Sequence, residues 1–268
     1  MVAPKEEVVE ILDFLYQKMV EESLFSEFEK HKYARKMQFV GKKTVRDNLA
    51  WAYFEACSNN EQDALFYFKK SLKYNDAIFL ENYFTYLIRN GRIENLIAAI
   101  ENANSKESFA GVARVKYELF FTSILQGNID AANLALDSLI NLKKNFFEAN
   151  EINISMRDKL RNFIEYAGLS DSELKVLGSI FITLIEKYNL FLRGRIDFKT
   201  YEEFDVNHIS LIIDNRHKSI LGKLNLELAM NMASQRFFDN KKFSASIDMM
   251  GQDKIMANKD IALPKWVE

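Results

Sequence analysis

Proline is almost missing from this chain of 268 residues: it occurs only at Pro4 and Pro264, so none interrupts Lys5 to Leu263. Nine glycines are the only other strong breakers of regular structure. The scarcity excludes collagen-like and proline-rich linker classes. It disfavours a loop-rich β-sandwich, whose many turns draw on both residues. Helices gain most, because an internal proline deletes a backbone donor and clashes with the preceding turn. Cys57 is the single cysteine, so no intrachain disulfide can form, as a reducing compartment would require. A net charge of −2 provides no general attraction to nucleic acid or to anionic membrane surfaces. The longest apolar run, Ile180–Ile185, is interrupted by Thr183, well short of the roughly 20 residues that cross a bilayer. Acids at Glu6, Glu7 and Glu10 occupy the place of a signal peptide's apolar segment. These absences predict a cytoplasmic protein with no membrane association.

What the chain does contain is apolar surface. It is 48% apolar and carries 22 phenylalanines, enough for a sizeable, strongly aromatic core in one large domain or two small ones. The first 40 residues read as helix. Val8, Leu12, Leu15 and Met19 recur at helical spacing, acids precede Lys18, and Leu24, Phe25 and Phe28 extend the apolar face as far as a break at Gly41. From Thr44 to about Lys144 the sequence repeats itself. Residues 58–72, 90–103 and 126–139 superimpose, with a turn-forming residue at Asn59, Gly91 and Gly127. Five residues on stand Ala64, Leu96 and Ala132; four further on stand Phe68, Ile100 and Leu136; then come Ser71, Ala103 and Leu139. The turn residues are 32 and then 36 residues apart. A unit of that length, built as two helices about a small-residue turn, predicts a helical solenoid.

The segment Leu49, Ala50, Tyr53, Ala64, Phe68 and Ser71 resembles a tetratricopeptide (TPR) repeat. The resemblance covers about 100 residues and implies paired helices in which a small residue permits close approach and an aromatic fills the gap between pairs. It also implies a surface that binds a peptide or a protein. The chain departs from the pattern at Phe84 and Phe120, where the family has small residues, and at Asp76, where it commonly has proline.

Beyond Phe146 the repeat fades. Ser155–Tyr166 reads as a helix closed by Gly168, and Ser172–Leu192 as a second one, capped by Ser170 or Asp171 and ended by Gly194. After Gly194 the period changes. Ile209, Leu211 and Ile213 alternate with polar neighbours; so do Leu224 to Met232 and Phe243 to Met249, with polar turns at DNRHK and at Asp239–Lys242. Three alternating runs predict an antiparallel β-meander packed on the last helices. Leu221, Leu224, Leu228 and Met232 also lie at helical spacing, the competing reading for that run. The expected fold class is mainly α, a TPR-like solenoid with a small C-terminal β part (α+β overall). Residues 1–195 would be the helical region and 196–268 the β-containing module.

Sites of bond chemistry are thinly supported. No phosphate-binding loop, GxGxxG or ordered Ser/His/Asp set occurs, and no cofactor or metal is expected. His208, Asp214 and His217 lie close in sequence, but on a strand His208 and Asp214 would stand about 20 Å apart, too far to share a metal ion. Asp214 and Glu227 resemble the acidic pair of metal-dependent PD-(D/E)xK nucleases, although Ala229 stands where that family has lysine. Cys57 has no histidine or basic neighbour in sequence and reads as structural. Arg193-Gly194-Arg195 is too short to hold phosphate unaided.

The densest charge lies in residues 31–46, where Lys32, Arg35, Lys36, Lys42, Lys43 and Arg46 occur without an acid, interleaved with Tyr33 and Phe39. These cations either dock an acidic partner or complement helix C-termini as a solvated surface. With the net charge near zero, a protein or peptide is favoured over nucleic acid. Trp51 and Tyr53 would join the contact set unless they are buried between helices. The sequence therefore predicts a non-enzymatic interaction or scaffold protein. An enzyme with its site in the C-terminal β-region is the rival, and a binding inhibitor or immunity-type protein would share the same features.

Overall fold

A computed structural model describes residues 5–21, 23–142, 155–201 and 206–249, in two compact units that divide between Tyr86 and Leu87.

In the N-terminal unit, helix α1 (Lys5–Val20) buries Ile11, Leu12, Leu15, Tyr16 and Met19, a stripe at three- and four-residue spacing that packs on a later helix. The helix predicted through residue 40 is instead two. Ser26 adopts an extended conformation and forms a reciprocal capping box with Glu29, so a new helix, α2 (Glu27–Met37), begins there. The side chains of Glu6 and Glu7 lie outside the described residues. A second capping box, Thr44 with Asp47, starts α3 (Val45–Cys57), on which α1 packs. Helix α4 (Glu61–Ser71) folds back on α3. Phe68 of α4 is fully buried amid Tyr53, Phe79, Tyr83 and Tyr86, with ring centroids 4.9–6.1 Å away. Helix α5 (Ala77–Arg89) carries the chain across the unit boundary.

The C-terminal unit continues with α6 (Ile93–Asn104), α7 (Ala113–Leu125) and α8 (Ile129–Leu142), then α9 (Ser155–Ala167) and α10 (Asp171–Tyr188). The turns that join α3 to α4, α5 to α6 and α7 to α8 share one geometry. Each has a left-handed central residue, Asn59, Gly91 or Gly127, at φ 58°, 63° and 68°, a conformation that favours glycine and asparagine. In each, the next residue's N–H reaches back five positions: Asn60 to Glu55, Arg92 to Leu87 and Asn128 to Ser123, at 2.8–2.9 Å. This is the Schellman arrangement, which satisfies carbonyls the ending helix leaves open. The aligned positions Ala64, Leu96, Ala132, Phe68, Ile100 and Leu136 are all fully buried. Helix α10 packs on α6 and α7 and is capped at its start by Ser170. It ends at Asn189, left-handed at φ 48°, five residues before the predicted stop at Gly194.

The remaining chain forms a three-stranded sheet, β1 (Leu192–Tyr201), β2 (Val206–Ile213) and β3 (Ser244–Met249), in that order. The expected meander is corrected in two respects. Strand β2 pairs antiparallel with β1 but parallel with β3, and the run from Leu224 to Met232 is helix α11 (Leu221–Ala233). A parallel pair needs a crossover, and α11 provides it. Strand pairing would have put Leu224, Leu226, Leu228, Met230 and Met232 on one face. The helix buries Leu224 and Leu228 and leaves Leu226 at 63% and Met230 at 65% exposure. No β-branched residue occurs between Leu221 and Ala233, so propensity and topology agree on helix. The DNRHK turn is a 3₁₀ helix, Asn215–Ile220, capped by Asp214. The apolar face of the sheet packs on α9 through Phe163 and Phe198, 5.2 Å between centroids. At the outer edge, the Asn225 amide donates to the Ile247 carbonyl and accepts from its N–H, both at 2.8 Å. One side chain thus substitutes for a neighbouring strand and blunts that edge.

Candidate functional site

The basic segment is built on α2, the loop after it and the start of α3. Tyr33 and Met37 form the inner face of α2 and are buried. Tyr33 stacks on Phe14 (centroids 4.4 Å apart, rings 5° from parallel) and on Phe25 (5.6 Å, 7°), which fixes the helix against its neighbours. Lys18 donates to Glu29 at 2.8 Å. That hydrogen bond, with those from the Ser26 cap, lowers the Glu29 carboxyl to about 2. Glu29, one of two acids in the first turn of α2, is thereby already engaged with Lys18 and the cap.

On that outer face Lys32 and Arg35 are exposed, as are Lys42, Lys43 and Arg46 further along, while Lys36 is half-buried. Among the described residues none of these six forms an ion pair with an acid. Lys32 and Lys36 lie 5.5 and 5.7 Å from the centroid of the Tyr33 ring. The loop is held by its backbone. Lys43 and Thr44 N–H groups donate to Asp47 Oδ2 at 3.2 and 3.0 Å, and the Tyr74 hydroxyl donates to the Lys43 carbonyl at 2.8 Å.

The two aromatic candidates part company. Trp51 is half-buried; its indole N–H donates to the Gly41 carbonyl at 3.1 Å, and Lys42 Nζ sits 4.4 Å above its ring. Tyr53 is 0% exposed, on the inner side of α3 against Tyr16 and Phe68, and its phenol is raised well above the usual range by burial. Tyr53 is therefore a core residue and leaves the contact set. α3 buries residues around most of its circumference, so helical spacing alone does not separate the two.

Three further groups belong to this surface. Phe28 is 77% and Phe39 52% exposed, and the folding back of α4 brings Lys70 Nζ within 3.2 Å of the Lys42 carbonyl, to which it donates. The spacing puts Phe28 on the apolar face of one continuous helix; the new start at Ser26 leaves it exposed instead. The pair Lys69-Lys70 was a signal, since the end of the second helix of a hairpin returns to the start of the first.

Each C-terminal candidate has partners of its own, and Asp214 lies near enough to His217 to act on its charge. Asp214 Oδ1 accepts from Arg216 N and Nε, at 3.0 and 3.2 Å. Glu227 lies on α11, where it accepts from Tyr188 at 2.6 Å and pairs with Lys187. His208 is bracketed on the sheet by the hydroxyls of Ser244 and Ser246, 2.7 and 2.9 Å from its ring nitrogens. His217 Nε2 accepts the Phe191 N–H at 3.0 Å. Among the described residues no group of three or more His, Cys, Asp or Glu is placed to hold a metal ion. Cys57 is buried, and its thiol is pushed up to about 12 by that burial, which leaves it inert at neutral pH. The side chains of Arg193 and Arg195 lie outside the described residues.

The His217 contact has a pH signature. Burial, then the Arg216 charge, hold the imidazole below its usual range, with Asp214 opposing. The fold favours the neutral ring, so this contribution is fully present above the unfolded value near 6.5 and is lost as pH falls through the lower folded value. Between pH 7.5 and 5.0 the unfolding midpoint of wild type should fall further than that of His217→Gln, which keeps an acceptor but does not titrate. Equal falls would show that His217 is not the linked group.

Fold and surface together define a mainly helical protein with a small mixed sheet and, in its N-terminal unit, a basic segment whose cations form no ion pair among the described residues. Compared with known proteins, the chain matches no family model, no curated protein and no solved structure. No helix among the described residues is long and apolar enough to cross a membrane.

Proposed function

We propose that this chain is a non-enzymatic interaction protein, a scaffold or adaptor of TPR-like helical-repeat type, that docks an acidic protein or peptide through the basic surface of its N-terminal unit. One observation carries the reading: Lys32, Arg35, Lys42, Lys43 and Arg46 are exposed and none forms an ion pair with an acid among the described residues, on a segment that also exposes Phe28 and Phe39. Solvated lysines and arginines usually alternate with acids. A run of one sign bordered by bare aromatic rings has the composition of an interface, where charge steers the approach and apolar anchors hold. The three matching turns and their buried aligned positions support the repeat reading, because each unit repeats the same helix-ending hydrogen bonds at the same place.

The test is capture of partners by wild type and by the Lys32→Glu, Arg35→Glu, Lys36→Glu, Lys42→Glu variant. Lys32, Arg35 and Lys42 are exposed and Lys36 is half-buried, so stability should change little, on the order of 0.5 kcal/mol per site. The variant should lose the acidic partner, and equal recovery would reject the surface.

A further inference from the structure

We infer that the outer face of α2 is a seat for an acidic amphipathic helix that carries two apolar side chains eleven residues apart with carboxylates between them. The inference rests on the docking role proposed above and names the partner's chemistry. Phe28, Lys32, Arg35 and Phe39 stand at i, i+4, i+7 and i+11, which places them on one line along a helix. Helix α2 ends at Met37, but Gln38 keeps helical angles (φ −60°, ψ −25°), and the Phe39 N–H donates to the Lys36 carbonyl at 3.1 Å. The line therefore runs on to Phe39. At 1.5 Å per residue the two phenylalanines are about 16 Å apart, with the cations about 6 and 10 Å along from Phe28.

The order along this line, aromatic, cation, cation, aromatic, decides the occupant. A helix lying in a membrane interface immerses a continuous apolar face and keeps its cations at the margins. Here Lys32 and Arg35 occupy the middle of the face, so sinking both rings would draw the two charges in with them. A polyanionic nucleic acid gains little from a chain of net charge −2. A peptide helix can present carboxylates at the spacing of the cations and apolar groups at the spacing of the rings. The clamping of Tyr33 between Phe14 and Phe25 fixes the opposite side of α2, so the seat is formed before a partner arrives.

The experiment uses a labelled 15-residue probe of alanine and glutamine with leucines at positions 2 and 13 and glutamates at 6 and 9, titrated by fluorescence anisotropy. Wild type should bind it. Phe28→Ala with Phe39→Ala, and separately Lys32→Glu with Arg35→Glu, should each weaken binding about tenfold or more. A probe with lysines at 6 and 9 should restore binding to the charge-reversed protein alone. Lys42→Glu with Lys43→Glu and Arg46→Glu should weaken binding about threefold or less at moderate salt. Circular dichroism should be unchanged in all three variants, since the replaced side chains are exposed. The inference is overturned if wild type does not bind the probe, or if the α2 variants bind it as wild type does. It is also overturned if phosphatidylserine vesicles or oligo(dT) bind more tightly than the probe and are lost in the same variants. If only the Lys42, Lys43 and Arg46 replacement abolishes binding, the acidic-partner role stands and the seat on α2 does not. The capture experiment judges that role independently.

Discussion

Phe68→Ala should remove about 4 kcal/mol from the N-terminal unit, within the range measured for deleting a fully buried phenylalanine ring. Phe68 is 0% exposed and meets Tyr53, Phe79, Tyr83 and Tyr86 at 4.9–6.1 Å. The loss has two parts. The ring's transfer out of water is forfeited, and a cavity opens among four aromatic neighbours too bulky to close over it. Domain stabilities run to only about 5–15 kcal/mol, so this one substitution should leave the unit near its unfolding threshold. Phe66, two residues earlier on α4, is 58% exposed, and Phe66→Ala should cost about 0.5 kcal/mol or less. Urea unfolding of the two variants checks the contrast. Similar midpoints for both would mean that Phe68 is not in a close-packed core.

Gly178→Ala in α10 should destabilise the C-terminal unit by about 2–3 kcal/mol, although alanine is the better helix former. Propensity alone predicts a gain of about 1 kcal/mol. Packing opposes it: a β-carbon at Gly178 would lie 1.8 Å from the Leu125 carbonyl oxygen and 2.7 Å from its carbon. Those are backbone atoms of α7 and cannot rotate aside, so the two helices would have to separate, and overpacking of this kind costs about 1–3 kcal/mol or more. The steric effect therefore wins. Gly222, at the start of α11, has nothing within 4 Å of the same imagined atom. Gly222→Ala should be neutral or stabilising by up to about 1 kcal/mol. Thermal unfolding should move the two midpoints in opposite directions, and a stabilised Gly178→Ala would show that α10 does not lie so close on α7.

These two sites differ in how far the sequence reveals them. Phe68 sits in an aligned repeat position beside Ile100 and Leu136, and the alignment is anchored by Asn59, Gly91 and Gly127. Those residues are visible because few others tolerate a left-handed turn. Gly178 lies inside a wide apolar stripe and nothing local marks it; only the approach of α7 gives it a role. The run around Leu224–Met232 misleads for another reason. Leu224, Leu228 and Met232 also sit at helical spacing with Leu221, so two periods fit one string, and the arbiter was the parallel pairing of β2 with β3, a long-range fact. Strand β1 did carry a signal, the alternation of Ile196 and Phe198 with Asp197 and Lys199, masked by the helix that precedes it. On the binding surface, the cations of residues 31–46 are legible because no acid interrupts them. Exposure of Phe28 depends on the break at Ser26, and burial of Tyr53 depends on which side of α3 meets α1 and α4.

The central claim, that cations of the N-terminal unit dock an acidic partner, meets its most direct test in side-by-side capture. Wild type and the Lys32→Glu, Arg35→Glu, Lys36→Glu, Lys42→Glu variant, at equal concentration and confirmed folded, are presented to the same lysate at low and at moderate salt. Wild type should retain a partner of acidic composition that moderate salt weakens and that the variant fails to hold. Recovery of the same partners by both proteins, in the same yield and without salt dependence, would contradict it.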